Sequence, residues 1–363
     1  MDVAAELMIP KVRCAPFHES LHDDPIGSAG AYDAFLCIEV PLPWERDISM
    51  NEPFPSVIDQ VGAATTGPDG RRWRPQGLVA DPGDHSGSTG STGSTDPTGS
   101  VRVTAYEQAV DLGGAAPFGR REWLVAPENV VELGRALIHA DGSAVRSFDD
   151  LVVDVDASVL DVFVCTHGKR DSCCGNLGTE LFTELSAVYR SDNHTHAGGV
   201  RIRRVSHTGG HRFAPTALTF PDGYAWAHLD RGVADEVILR TGDVGVAAPH
   251  CRGSSSLAGG PAQAADRAAL VEVGWQWTMT RRTVTVVAFD RLTMATKVRI
   301  DGSPARGATD AGNAWSFEVR VEIERHVPTI TCGTIDGPEY AVEPVWRVTG
   351  VRALPDAQRP RTP

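Results

Sequence analysis

The chain has 363 residues, 41% of them apolar and 22% charged, an ordinary globular composition with room for two domains or one large decorated one. A formal charge of −13 argues against a general nucleic-acid or anionic-membrane surface, since both need clustered cations, and leaves room for a local basic strip such as Arg201, Arg203 and Arg204. No stretch reaches the roughly 18 uninterrupted apolar residues of a spanning helix and MDVAAELMIPKVRC has no leader pattern, so a cytoplasmic protein without membrane insertion is expected.

In chain order, AYDAFLCIEVPLPW predicts a buried strand from about Phe35 to Val40, stopped by Pro41 and Pro43. The Gly-Ser-Thr repeats of residues 82–100 cannot bury apolar area and predict a flexible insertion inside an N-terminal α/β domain, residues 1–150. After it, VRVTAYEQ predicts a strand and APENVVELGRALIHADG a helix, with Pro127 near its first turn.

Residues 151–260 begin with the apolar strand VLDVFVCTHG. The segment GNLGTELFTELSAVYR then places Leu177, Leu181, Leu185 and Val188 on one helical face. Two strands follow, GVRIRRVS and PTALTFPDGYAWAHL, the second folded as a hairpin at Pro221-Asp222-Gly223, and then a helix, GVADEVILRTG, ending at Gly242. This order is that of a thioredoxin-like α/β unit, in which the loops after the first two strands fall at one end of the sheet. Residues 261–363 alternate strongly, with Phe317, Val319, Val321 and Ile323 on one face, and predict a β-rich C-terminal region with a half-exposed antiparallel sheet and a frayed tail.

The chemistry-bearing residues lie in CTHGKRDSCCGNLG and SHTGGHRFAPTALTF. Cys165 and Cys174 flank a strand-to-helix loop, and a helix N-terminus favours a thiolate at Cys174. His207 and His211 flank Gly209-Gly210, whose freedom to take positive φ lets both rings turn toward one point. Two thiolates and two imidazoles suit either tetrahedral zinc or a [2Fe-2S] cluster with one iron on each pair. The spacing matches neither a zinc finger nor a Rieske centre.

These two segments resemble the sucrase/ferredoxin-like family, over roughly residues 160 to 230, with GSAGAYDAFLCIEVPLPW and the TITCG around Cys332 adding to the likeness. The resemblance implies a thioredoxin-like ferredoxin domain with a [2Fe-2S] cluster on a C-x8-C pair and an H-x3-H pair. The cofactor ligands are then Cys165, Cys174, His207 and His211. The expected function is electron transfer or redox sensing with an unidentified redox partner protein, and reduction coupled to protonation of a ligand imidazole. A carrier is expected rather than a catalyst, and no sucrase activity, because no carboxylate pair suits glycoside hydrolysis. A structural Cys2His2 zinc scaffold and a thiol oxidoreductase using Cys173 and Cys174 are the alternatives.

Other residues have plainer readings. His167 either orients a ligand or packs the loop, and His194 and His196 are solvated loop residues. Cys173 is either a spare loop thiol or an alternative ligand in place of Cys174, and Cys37 is a core residue. Cys14, Cys251 and Cys332 have no usable partner spacing. Lys169, Arg170 and Asp171 either solvate the loop or place charge beside an anionic group. Gly175 and Gly178 do not make a dinucleotide fingerprint.

Overall fold

The computed structural model describes residues 13–58, 64–80, 99–109, 114–189, 199–304, 314–330, 332 and 341–355. The insertion at 82–100, apart from its last two residues, lies outside the described residues, as do His194, His196 and residues 356–363.

The strands form two sheets. The larger uses β1 (Ala34–Glu39), β2 (Thr65–Thr66), β3 (Arg72–Leu78), β4 (Val101–Glu107), β5 (Gly119–Val125), β6 (Leu160–Cys165), β7 (Val200–Val205), β8 (Ala217–Phe220), β9 (Tyr224–Trp226) and β10 (Cys251–Ser254). Their order is β10-β9-β8-β6-β7-β3-β1-β4-β5, with β2 paired to β3. Strands β6 and β7 are parallel and joined by α5 (Ser172–Tyr189), while β8 and β9 add antiparallel, followed by α6 (Arg231–Leu239). Strands β1 and β3 are likewise parallel, β4 and β5 add antiparallel, and α3 (Val130–Ile138) follows. One thioredoxin-like order therefore occurs twice.

The two halves meet edge to edge at β3 and β7, with Leu78 opposite Val205 and Ser206 N–H donating to the Gly77 carbonyl at 2.8 Å. The sheet curls, so that Phe118 N–H reaches the Pro221 carbonyl and Arg120 of β5 meets Asp161 of β6 at 2.5 Å. Phe35, Tyr106, Phe118, Phe163 and Phe220 fill the concave side. Deeper along it, Glu122 and Asp161 are ringed by Arg102, Arg201 and Arg120, which keeps both carboxyls below their usual range despite burial. The convex sides are covered by helices: α2 (Phe54–Val57) and α3 over β1, and α5 and α6 over β6.

The hairpin at Pro221-Asp222-Gly223 forms as expected, Gly223 having φ +72°. The helix expected to end at Gly242 ends at Leu239, because Arg240 itself takes the left-handed conformation, φ 53°. Leu181 and Leu185 of α5 are buried, and Leu177 and Val188 half-buried.

The second sheet is antiparallel: β11 (Thr280–Asp290), β12 (Ala295–Pro304), β13 (Trp315–Thr329) and β14 (Ala341–Ala353). Its buried face, with Val298, Ile300, Phe317, Val319 and Val321, packs on α8 (Gly260–Val273), a helix that the alternation of this region did not announce. Arg282 of β11 anchors the sheet, bonding to Asp266 at 3.1 Å and Tyr224 Oη at 2.8 Å where all three are buried. No helix among the described residues is long and apolar enough to cross a membrane.

Candidate metal centre

Parallel pairing sets Cys165, the last residue of β6, opposite Val205, the last of β7, so the loops after both strands emerge at one end of the sheet. Helix α5 starts in the first of these loops and returns Cys174 beneath Cys165. The close approach depends on Gly178, where a Cβ would stand 1.9 Å from the Cys165 carbonyl oxygen. In the second loop Gly209 and Gly210 have φ +83° and +66°, and the turn they make carries His207 and His211. A side chain at Gly210 would run into the Arg252 guanidinium, 2.3 Å from its Cβ.

Cys165 Sγ, Cys174 Sγ and a ring nitrogen of His207 lie within 4.8 Å of one another. Both cysteines are fully buried. The bond from Cys174, joined by His207, draws the Cys165 thiol well below its ordinary value against the effect of burial, while the same bond and burial push Cys174 up, so the thiolate falls on Cys165 and not on Cys174 as the helix N-terminus led one to expect. Burial also lowers the pKa of His207, keeping its imidazole neutral and able to ligate. His207 Nδ1 is buried without a hydrogen-bond partner. A buried orphan of this kind beside two thiols fits a metal group.

His211 is brought near but not into this trio. Its ring centroid is 5.8 Å from that of His207, and its Nδ1 faces Asp171 Oδ2 at 3.3 Å and Cys14 Sγ at 3.4 Å. With 22% of its side chain exposed, it forms the solvent edge of the centre. Burial would push the Asp171 carboxyl up, but His211 and the Cys173 and Cys332 amides outweigh it and hold the acid ionised.

His167 is a positioning residue. Its Nδ1 accepts the His207 N–H at 3.2 Å and its Nε2–H donates to the Glu45 carbonyl at 2.7 Å, which leaves neither nitrogen for a metal. Glu45 and Trp44 come from the loop after β1, so the N-terminal unit walls the centre. Lys169 only pairs with Glu45, both exposed. Arg170 and its neighbour Asp171 part company: the acid is buried and bonded.

Sequence reasoning missed Arg252, Arg74 and Gln76. Arg252 is buried and donates to the Gly209 carbonyl at 3.0 Å and the Ser28 carbonyl at 2.7 Å. Burial, with Arg212 nearby, lowers its pKa to about 10, so it stays cationic at neutral pH. Arg74 and Gln76 donate to the His207 carbonyl. None of these stands near the motifs in sequence. Cys173 points away from Cys174, toward Cys332 at 3.3 Å. Cys37 and Cys251 are buried apart from both, and all seven cysteines are unbridged.

The sucrase/ferredoxin-like family matches residues 25–253, well over half of the chain. The chain belongs to this family. Over 60 residues it is also 35% identical to the altered inheritance of mitochondria protein 32 of Meyerozyma guilliermondii, an overlap of 16% of this chain and 21% of that protein. It thus spans about a fifth of the relative's length. No solved structure matches the chain. Family membership and the Cys/His group agree in allowing a metal cofactor at the end of β6 and β7.

Proposed function

We propose that the protein carries single electrons, or senses redox state, with a [2Fe-2S] cluster held by Cys165, Cys174, His207 and His211. The observation that carries this reading is the convergence of two buried thiols and a neutral imidazole whose Nδ1 has no other partner. When bound, such a cluster accepts one electron at a time, and imidazoles in place of two thiolates raise its potential above that of all-cysteine centres.

The residues of the chain supply the rest. The end of β6 and the start of α5 fix the thiol pair, and His167 with Arg74 and Gln76 fixes the His207 backbone. Arg252 places buried positive charge behind the histidine loop, which favours added negative charge in the centre. Asp171 Oδ2 accepts a proton carried at His211 Nδ1, leaving Nε2 as the ligand atom. Trp44 and its loop exclude water on one side, and the exposed edge of His211 is the side from which a redox partner is reached. In this reading residues 151–260 carry the cofactor, 1–150 wall it and 261–363 cover the remaining flank. Seven unbridged cysteines suit a reducing compartment such as the cytoplasm, and the acidic surface suits a basic partner protein.

The test is an ultraviolet-visible spectrum with iron, zinc and acid-labile sulfide analysis on protein purified without oxygen. About two irons and two sulfides per chain, with visible absorption altered by His207→Ala, are expected. A colourless protein whose zinc depends on His207 would replace this reading with a structural Cys2His2 site.

A further inference from the structure

Three thiols that the first centre does not use, and the carboxylate that faces His211, come together beside it. Cys14 opens α1 (Cys14–Ser20), Asp171 and Cys173 precede and enter α5, and Cys332 follows β13, so three distant segments converge. Cys332 Sγ lies 3.4 Å from Cys14 Sγ and 3.3 Å from Cys173 Sγ. Asp171 Oδ1 is 3.5 Å from Cys14 Sγ and 3.3 Å from Cys332 Sγ. All four ligand atoms lie within 4.8 Å of one another.

We propose that Cys14, Cys173, Cys332 and Asp171 form a second metal site, for a single divalent ion of the zinc type.

The geometry is that of one ion. Zinc–sulfur bonds of about 2.3 Å in a tetrahedron set thiolates about 3.8 Å apart, slightly more than the separations here. A multi-iron cluster divides its ligands between irons, so that they do not all gather within 4.8 Å as these four do. Three soft thiolates with one carboxylate select zinc or cobalt over calcium or magnesium. All four positions come from the protein, the mark of a structural site rather than a catalytic one.

The surroundings also suit a bound anionic group. Cys14 N–H points at Cys332 Sγ at 3.4 Å, while the Cys173 and Cys332 amides donate to Asp171 at 2.9 and 3.3 Å. These bonds orient the ligands and offset their charge. Cys14, Cys173 and Asp171 are buried and Cys332 is half-buried, which leaves an entry path. Binding releases the protons that the thiols carry. Half of the site lies outside the family match: Cys14 and Cys332 fall on either side of residues 25–253. It staples α1 and the end of β13 to the start of α5, one residue from Cys174, and Asp171 also touches His211.

The full-length protein is purified without oxygen from zinc-replete medium as wild type, His207→Ala and Cys332→Ser, and zinc, iron and sulfide are counted in each. About one zinc per chain is expected in wild type and His207→Ala, and less than about a tenth of that in Cys332→Ser. Cobalt(II) loaded into His207→Ala, which needs no change at this site, should give thiolate-to-cobalt charge transfer and intense tetrahedral ligand-field bands. Wild type without zinc, a disulfide-linked Cys173–Cys332 peptide in its map, or zinc that follows His207 instead of Cys332 overturns the proposal. Weak octahedral cobalt bands do the same. Iron and sulfide are read separately, so a chain lacking both but holding zinc through Cys332 would end the cluster reading and leave this one standing.

Discussion

The His207 amide donates to Nδ1 of His167 across 3.2 Å, tying the two loops of the candidate centre through an imidazole that binds no metal. The other face of that ring is held by the Glu45 carbonyl, and burial keeps its pKa below the usual histidine value. His167 therefore acts on the geometry of His207. His167→Ala should leave the iron centre assembled but lose it to a chelator about 10–100 times more readily. Iron loss at the wild-type rate would reduce His167 to packing.

The neighbouring cysteines should separate cleanly. Cys174 faces Cys165, whereas Cys173 faces Cys332. Cys174→Ser should abolish the visible absorption, and Cys173→Ser should keep it. The reverse pattern would assign the ligand to Cys173.

Gly178→Ala tests the approach of α5 to β6. In an exposed helix interior the change would stabilise by about 1 kcal/mol. Here the new methyl overlaps the Cys165 carbonyl, so a net loss of about 1–3 kcal/mol is expected, with reduced iron content. Urea unfolding of the two proteins gives the sign, and a stabilised variant would contradict the packing described.

His18 makes stability depend on pH. Buried, it donates from Nδ1 to Asp23 at 2.6 Å, and Nε2 accepts the Ile330 amide at 3.4 Å, which requires the neutral ring. Desolvation lowers its pKa below the ordinary 6.5, outweighing the pull of Asp23. The unfolded chain then binds the extra proton, so this contribution is complete above about pH 6.5 and is lost as pH falls through the depressed value. His18→Gln should flatten the dependence of the urea midpoint between about pH 6.5 and 5. An unchanged slope would clear His18 of it.

Asp266→Ala should be among the most damaging changes outside the centre. It leaves Arg282, fully buried, without its carboxylate and removes the acceptor for Tyr224 Oη and Trp277 Nε1. A loss of about 3–5 kcal/mol in urea unfolding is expected. A change below about 1 kcal/mol would mean that water or a neighbour replaces the carboxylate.

The thioredoxin-like order of β6 to α6 was legible because strand alternation, the α5 stripe and the Pro-Asp-Gly turn are local signals. The two Gly-flanked loops were legible for the same reason, and the strand register then brought Cys165, Cys174 and His207 together. Helix α8 was missed because its Ala-rich sequence carries little periodicity, and β14 because Pro344 and Gly350 interrupt its alternation. Cys14 and Cys332 gave no signal at all, since 318 residues separate two thiols that end 3.4 Å apart. Arg252 was silent for the same reason: a lone arginine acquires meaning only when the fold buries it against the Gly209 carbonyl.

The repeated strand order has a further consequence. Only the second copy carries the thiols and imidazoles, and the first lends its Trp44 loop and Arg74 to shape the ground around them. Their strand joint at β3 and β7 is a single opposed residue pair with a few flanking bonds, and the shared aromatic core with the Arg120–Asp161 and Arg201–Glu122 pairs does the rest of the joining. A ligand-bearing half excised at that joint would keep every residue that grips the cofactor and lose the mould that decides how they are aimed.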